Sequence, residues 1–211
     1  MEIVKRQKIA LFGGTFDPFH KGHLELLENI NRELCPDRII IVPTGHPYMK
    51  ERLGRRITPA EDRIGMIAAG LSGAEFKWEI SRVEIERNGP SYSVDTVAEI
   101  KQGLQCSGNC EIYFLCGSDV LFGIDKWYEY KRLLADIILT VTPRGSDDMS
   151  QIMERKKELE DREGAGILIT KFRGREISSS GIRDNIEACK DLIPASELDY
   201  IKTHHLYEPE A

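Results

Sequence analysis

Residues 7–24 read QKIALFGGTFDPFHKGHL and pass from a short apolar run through two glycines into a helical pattern. The apolar run, Gln7 to Phe12, has the length and composition of a buried β-strand. From Gly22 onward, leucine and isoleucine recur at helical spacing on one stripe, which predicts an amphipathic helix. A strand, a glycine turn and a helix in this order predict the first part of a βαβ unit.

The same alternation continues along the chain. Further strands are predicted at 38–42, 78–85, 111–116, 136–141 and 166–172, and further helices at 58–71, 93–102, 120–134, 149–162, 178–189 and 196–204. In the first of these helices, Thr58 is predicted as the N-cap, with Pro59 at the first helical position and Glu61 completing a capping box. This pattern predicts one α/β domain over residues 1–211, doubly wound around a mainly parallel sheet, with ligands bound beyond the carboxyl ends of the strands.

Composition excludes several classes of protein. With 211 residues and 41% hydrophobic content, the chain can bury a core, and its longest apolar stretches are far below the roughly 20 residues of a membrane span. No secretory signal is visible, and 29 basic against 35 acidic residues argue against broad nucleic-acid binding. Five cysteines without a CxxC pair predict reduced thiols and no metal site. We therefore expect a cytoplasmic protein that binds neither membrane nor nucleic acid; the sequence leaves a homo-oligomer open.

The loop after the first predicted strand has the features of a phosphate site. Gly13 and Gly14 allow a tight turn and close approach of the backbone to a ligand. The helix start that follows presents free N–H groups and the positive end of the helix dipole. His20 and His23 are three residues apart at that start and can donate hydrogen bonds to developing negative charge. The loop matches neither GxxxxGK[ST] nor GxGxxG, and the alternative is a tight turn with two surface histidines.

Four segments together resemble one enzyme family. They are GGTFDPFHKGHL at 13–24, GPSYSVDT at 89–96, Gly117-Ser118-Asp119 followed by Trp127 and Tyr128, and ISSSGIR at 177–183. In this order they resemble the motifs of nucleotidyltransferases with an (H/T)xGH signature. Among these, the bacterial nicotinate-nucleotide adenylyltransferases are more similar than the pantetheine-phosphate adenylyltransferases or the cytidylyltransferases. The resemblance extends over nearly the whole chain and implies a Rossmann-like nucleotidyltransferase fold.

The resemblance also implies an activity and a set of site residues. The implied reaction transfers the adenylyl group of ATP, with Mg²⁺, to nicotinate mononucleotide in NAD biosynthesis and releases pyrophosphate. The implied catalytic residues are His20, His23, Lys50 and Arg183, and helices from about residue 178 are expected to close the ATP site. The residues that the resemblance implies for ATP are Gly13, Gly14, Thr15, Phe16, His20, His23, Gly117, Asp119, Ile177, Ser178, Ser179, Ser180 and Arg183. Those expected for the second substrate are Ser93, Asp95, Trp127, Tyr128 and Arg144, the last at the carboxyl end of a predicted strand.

Simpler interpretations stay open at these positions. The serines at 178–180, Ser93 and Asp119 are also typical helix caps, and Trp127 is also a typical core residue. One departure bears on the acceptor: the sequence reads PYMK at 47–50, where the family usually shows a PPHK-like segment, so Lys50 is retained and the histidine before it is absent. Nicotinamide mononucleotide or phosphopantetheine as acceptor, or a nucleotide-binding module without catalysis, are the alternatives. An RNA-charging enzyme is disfavoured by chain length and the lack of a basic face.

Overall fold

The computed structural model describes residues 6–45, 57–104 and 109–208. Its strands are β1 (Gln7–Gly14), β2 (Arg38–Pro43), β3 (Trp78–Ile80), β4 (Cys110–Gly117), β5 (Ile138–Thr142) and β6 (Gly166–Ile169). They form one sheet in the order β3-β2-β1-β4-β5-β6, and every neighbouring pair is parallel. The predicted doubly wound, Rossmann-like fold is therefore confirmed.

Helices connect the strands and complete the chain. They are α1 (Lys21–Leu34), α2 (Ala60–Gly70), α3 (Val83–Glu86), α4 (Ser93–Gly103), α5 (Ser118–Gly123), α6 (Tyr130–Asp136), α7 (Met149–Glu163), α8 (Ser179–Asp184) and α9 (Ala195–Thr203). Two short 3₁₀ helices lie at Ile124–Lys126 and Lys190–Leu192. Within the described ranges, no helix has both the length and the apolar character needed to cross a membrane.

Alternate residues of the central strand supply the two faces of the sheet. Ile9 and Leu11 of β1 are fully buried in a cluster with side chains of α4 to α7, whereas Ala10 and Phe12 pack in a second cluster with side chains of α1 and α2. Because successive side chains of a strand point to opposite faces, an apolar run buried on both sides needs helices on both sides. This packing fixes the carboxyl end of β1 at the centre of one sheet edge.

The last two helices pack against α2 rather than against the sheet. A third buried cluster consists of Met66 of α2, Ile182 of α8, Ile193 just before α9 and Ile201 of α9. The loop between β1 and α1 contacts this layer directly, since Ser179 Oγ donates to the Pro18 carbonyl oxygen over 2.9 Å. Helix α8 is thereby attached to the glycine loop, although about 160 residues separate them in sequence.

Several predicted boundaries are wrong. The strand predicted over 166–172 ends at Ile169, and the helix predicted over 178–189 ends at Asp184. The Thr58–Glu61 capping box is absent, because α2 begins at Ala60 with Pro59 as its N-cap, and the Thr58 carbonyl accepts a hydrogen bond from Arg63. The strand predicted over 78–85 ends at Ile80, and 83–86 form a helical turn that buries Glu84 against Thr96 Oγ1 at 2.8 Å. The helix predicted over 120–134 is broken by the 3₁₀ turn and by Glu129 at φ 49°.

The cysteines differ in state. Cys35, Cys116 and Cys189 are free thiols, as predicted. Cys110, at the start of β4, is disulfide-bonded, so the expectation of reduced thiols is wrong there.

Glu197, on α9, has a buried carboxyl group. It is 0% exposed, neither of its oxygens has a hydrogen-bond partner among the described residues, and burial raises its pKa to about 10. The packing around this carboxyl group is tight, since a Cβ on Gly70 of α2 would lie 2.8 Å from Glu197 Oε2. The native state therefore holds this carboxyl protonated at neutral pH, whereas the unfolded chain ionises it near its ordinary pKa.

Replacing Glu197 with glutamine should stabilise the protein above neutral pH. Between the unfolded and folded pKa values the unfolded state binds fewer protons, so the wild-type free energy of unfolding falls as pH rises from about 5 to about 10. We expect Glu197→Gln to raise this free energy by about 1–3 kcal/mol at pH 8 and to flatten its pH dependence. Urea unfolding at pH 5 and pH 9 measures both; equal pH slopes for the two proteins would contradict the assignment.

Candidate active site

The strand order reverses between β1 and β4, and glycines end both strands. Gly13 and Gly14 close β1, and Gly117 closes β4. A Cβ on Gly14 would lie 2.9 Å from the buried Phe16 ring, so this position has no room for a side chain. A Cβ on Gly117 would lie 2.5 Å from Asp119 Oδ1 and would displace that exposed carboxylate. A Cβ on Gly13 would meet nothing within 4 Å. This places open space beside the β1 backbone, at the switch point where doubly wound folds bind ligands.

His20 and His23 are brought together at the start of α1. Their rings stack with centroids 3.6 Å apart and planes 13° from parallel. The His20 backbone N–H donates to His23 Nδ1 over 3.2 Å, which leaves the ring proton of His23 on Nε2. His20 is 5% exposed, and burial, with a smaller contribution from the Arg144 charge, lowers its pKa to about 4. His20 is therefore neutral at pH 7, and its Nδ1 has no hydrogen-bond partner among the described residues.

Aromatic rings fix the orientation of His23. The ring centroids of Phe16 and Phe19 each lie 5.2 Å from that of His23, and the Phe12 centroid lies 5.7 Å away. Phe16 adopts φ 52°, a left-handed backbone conformation that costs a non-glycine residue energy and is held by the burial of its ring. The strained Phe16 backbone lowers the local stability of the loop, and in return its ring holds the His23 imidazole in place. Such strain is common in functional loops.

Both histidines line a cavity of about 140 Å³, here called the histidine cavity. Segments that are distant in sequence complete its wall. Its lining residues are Phe12, His20, Gly22, His23, Leu26, Gly117, Thr142, Arg144, Gly174, Arg175 and Ile177. The stretch near residue 20 and the stretch near residue 177 thus share one cavity at the carboxyl edge of the sheet.

A second cavity, of about 430 Å³, adjoins the first through Arg144 and Ile177, which line both; we call it the serine cavity. Asp119 Oδ1 lies 3.6 Å from Arg144 Nη2 in its wall, and the Arg144 backbone N–H donates to Asp147 at 2.6 Å. Its lining residues are Ser118, Asp119, Phe122, Arg144, Ser146, Asp147, Glu176, Ile177 and Ser178. Arg144, predicted for the second substrate, therefore lies among the residues predicted for ATP.

The three serines open α8 as the sequence predicts. Ser178 is the N-cap, and its Oγ accepts from the Gly181 N–H over 3.1 Å. Ser179 Oγ donates a hydrogen bond to the Pro18 carbonyl oxygen, and Ser180 Oγ accepts one from Arg183 Nη2 over 3.2 Å. These hydroxyls already carry protein contacts, so in this structure they orient the helix start toward the glycine loop.

Arg183 does not line the histidine cavity. Its guanidinium donates to the Asp17 backbone carbonyl, lies 3.5 Å from Asp17 Oδ2 and contacts Ser180. It lines a different cavity of about 390 Å³. Thr58 lines this cavity from the segment before α2, and Tyr207 lines it with other residues of the C-terminal segment.

The residues expected for the second substrate mostly gather in a third cavity of about 390 Å³, the aromatic cavity, which Ser93, Trp127 and Tyr128 line. Tyr128 is 55% exposed and stacks on Tyr92 with ring centroids 4.4 Å apart. Trp127 is half-buried and meets Phe114 of β4 edge-on at 6.2 Å. Asp95 lies in the first turn of α4 and is not part of the described lining of this cavity.

Sequence reasoning missed Arg63 and Arg175. Arg63, in α2, is 2% exposed and donates to three backbone carbonyls, those of Thr58, Thr15 and Thr44, at 2.8–2.9 Å. It thereby ties together the segments that follow β1 and β2 and precede α2. Arg175 lines the histidine cavity. No local pattern marks either residue, because an arginine inside a helix or loop is normally a surface residue.

Two further expectations for the site concern Lys50 and a metal ion. Lys50 and the PYMK segment lie outside the described residues. Within the described part of the chain, no group of three or more His, Cys, Asp or Glu side chains could hold a metal ion.

Comparisons with known proteins identify the family. Residues 11–185 match the family described as cytidylyltransferase-like. A probable nicotinate-nucleotide adenylyltransferase of Dehalococcoides mccartyi is 34% identical over 203 residues, covering 95% of this chain and 97% of the relative. One from Clostridium tetani is 33% identical over 204 residues, covering 95% and 99%.

Solved structures share the fold. Nicotinic acid mononucleotide adenylyltransferase of Plasmodium falciparum, in complexes with APC and with NaAD, superposes with a TM-score of 0.73 at 20% and 21% identity. Both superpositions cover 95% of this chain and 97% of the other. With a matching family over most of its length and bacterial relatives above 30% identity, the chain belongs to the cytidylyltransferase-like nucleotidyltransferases and, within them, to the nicotinate-nucleotide adenylyltransferases.

Proposed function

We propose that this protein transfers the adenylyl group of ATP to nicotinate mononucleotide, giving nicotinate adenine dinucleotide and pyrophosphate in NAD biosynthesis. The observation that carries the proposal is the shared wall of the histidine cavity, where the HKGH segment and Ile177 of the ISSSGIR segment meet. Family membership supplies the substrates, and the geometry supplies a site for a polyphosphate between those segments. The single domain over 1–211 and the cytoplasmic location expected from the sequence are part of this proposal.

The reaction needs positioning and charge stabilisation more than a strong base. A 5′-phosphate oxygen of the mononucleotide attacks the α-phosphorus of ATP in line, the bond to the β-phosphate bridging oxygen breaks, and pyrophosphate leaves. The attacking oxygen is already anionic, so no proton has to be removed from it. His23, with its proton on Nε2, and neutral His20 donate to phosphate oxygens as their charge increases. Lys50, Arg144 and the start of α8 are proposed to hold the remaining charge.

Transfer of a nucleotidyl group from ATP generally uses a divalent metal ion, and we propose Mg²⁺ in this role. Such an ion would neutralise part of the charge on the phosphate oxygens. Asp119 is the carboxylate of the serine cavity that pairs with Arg144, and its side chain is 69% exposed. It is therefore available either to a water shell around such an ion or to ribose hydroxyls, as the family resemblance implies.

The aromatic cavity is proposed to take the pyridine ring of the mononucleotide. Replacing Trp127 with alanine should raise KM for nicotinate mononucleotide about tenfold or more, since stacking on an aromatic side chain contributes about 1–3 kcal/mol per base. Steady-state kinetics with each substrate varied in turn measures this. Trp127→Phe, which retains a flat ring beside Phe114, should recover most of the affinity. An equal increase in KM for ATP would argue against the assignment.

An acceptor panel tests the proposed function. Pyrophosphate release is measured with ATP, Mg²⁺ and either nicotinate mononucleotide, nicotinamide mononucleotide or phosphopantetheine. We expect the highest kcat/KM with nicotinate mononucleotide. Turnover with another acceptor alone would reassign the substrate, and nucleotide binding without turnover on any acceptor would favour a module that has lost its chemistry.

A further inference from the structure

A polyphosphate in the histidine cavity would face two cationic side chains among the described lining residues, Arg144 and Arg175. Arg144 lies near Asp119, which offsets part of its charge, and Arg183 faces Asp17 on another side of the loop. An ATP triphosphate or a departing pyrophosphate carries several negative charges, and each is stabilised best by a planar guanidinium.

Arg175 is held at this wall by backbone contacts next to it. Gly174 forms a parallel bridge with Arg144, and its N–H donates to the Pro143 carbonyl over 2.8 Å. The segment before α8 therefore extends the sheet by one bridge beside the end of β5. This pairing fixes the backbone from which Arg175 projects, whereas its side chain remains 58% exposed.

The partner of Arg175 is a carboxylate on the histidine helix. Arg175 Nη2 lies 2.8 Å from Oε1 of Glu25, two residues after His23 on α1. Such a half-exposed pair contributes little to stability, so it can be exchanged for a stronger anion at low cost. A phosphate group offers a guanidinium the same two-oxygen geometry with more charge.

We propose that Arg175 is an additional phosphate ligand of the nucleotide, held by Glu25 until the polyphosphate enters the histidine cavity. The inference rests on the proposed function for the identity of the ligand. On binding, the guanidinium exchanges Glu25 for oxygens of the β- and γ-phosphates, and it stays with them as pyrophosphate leaves. Arg175 thereby supplies in this chain a cation next to the two histidines.

Binding of inorganic pyrophosphate to the full chain tests this by isothermal titration calorimetry. Arg175→Gln should weaken the affinity about five- to twentyfold, as expected for the loss of one charge-assisted contact. Lys171→Ala is the matched control, because it removes one exposed positive charge on the same segment but lies outside the described lining of the cavity. It should change the affinity less than twofold. Glu25→Gln frees Arg175 and should bind pyrophosphate at least as tightly as the wild type.

Several outcomes would overturn the assignment. They are an unchanged affinity in Arg175→Gln, an equal loss in Lys171→Ala, a loss in Glu25→Gln as large as that in Arg175→Gln, or no pyrophosphate binding by the wild type. Adenylyl transfer by the wild type is measured separately with the acceptor panel. If transfer is absent while Arg175→Gln still weakens pyrophosphate binding, the proposed function fails and the phosphate ligand stands.

Discussion

Replacing His23 with alanine should lower kcat for adenylyl transfer about 100- to 1000-fold, the loss typical of removing one transition-state hydrogen-bond donor. The His23 ring is fixed by three phenylalanines, by its stack on His20 and by the bond from the His20 N–H, so its Nε2 proton is held in one direction before substrate arrives. Such preorganisation acts on the charge that develops during transfer, so KM for ATP should change far less than kcat.

His204 provides the matched control for this variant. It is an exposed histidine on the C-terminal side of α9, where its ring stacks on Tyr200. His204→Ala should leave kcat within twofold of the wild type. Circular dichroism of both variants verifies the fold, since His23 also belongs to the capping box of α1. A His23→Ala turnover within threefold of the wild type would remove His23 from the mechanism.

Replacing Arg63 with methionine should destabilise the protein by about 3–5 kcal/mol, a large fraction of the roughly 5–15 kcal/mol that stabilises an ordinary domain. The substitution removes the Arg63 donor from three part-buried carbonyl oxygens, those of Thr15, Thr44 and Thr58. It also removes one of the cations near the buried Asp17 carboxylate, which keeps its contacts with Arg183 and the Tyr207 hydroxyl. Each carbonyl that loses this donor costs part of its desolvation energy, so the three lost hydrogen bonds account for most of the effect.

Urea unfolding of Arg63→Met and Arg63→Lys measures this effect. The lysine variant keeps the charge but cannot donate in three directions at once, so it should lie between the wild type and Arg63→Met. Arg82→Met is the control, because Arg82 makes its ion pairs with Glu61 and Glu86 on the surface. An unfolding midpoint of Arg63→Met as close to the wild type as that of Arg82→Met would show that the three carbonyls find other partners.

The sheet was predictable because its signals are local. The apolar run of β1, the two glycines and the stripe of α1 together indicate one βαβ unit, and the helix start at Ser178 was predictable from capping residues. The strand predicted through residue 85 failed for a tertiary reason. The Glu84 carboxylate accepts a hydrogen bond from Thr96 Oγ1, twelve residues further along the chain. This contact favours a helical turn over an extended chain.

The position of individual charges was not predictable. A sequence gives Arg63 and Glu197 as polar residues of helices, which normally face water. Both are buried because α2 is covered by α9 on one side and by the glycine loop on the other, an arrangement that depends on the whole fold. For the same reason, the ion pair between Arg183 and Asp17 could not be predicted from the motif.

The segment around His20 and the segment around Ser178 are proposed to bind one triphosphate. A crystal structure with a non-hydrolysable ATP analogue tests this proposal. We expect phosphate oxygens within hydrogen-bond distance of His23 Nε2 and of backbone N–H groups at the start of α8, with both contacts made by the same nucleotide. A nucleotide whose phosphates contact only one of the two segments, with the other more than about 6 Å away and so beyond a direct hydrogen bond, would contradict the account.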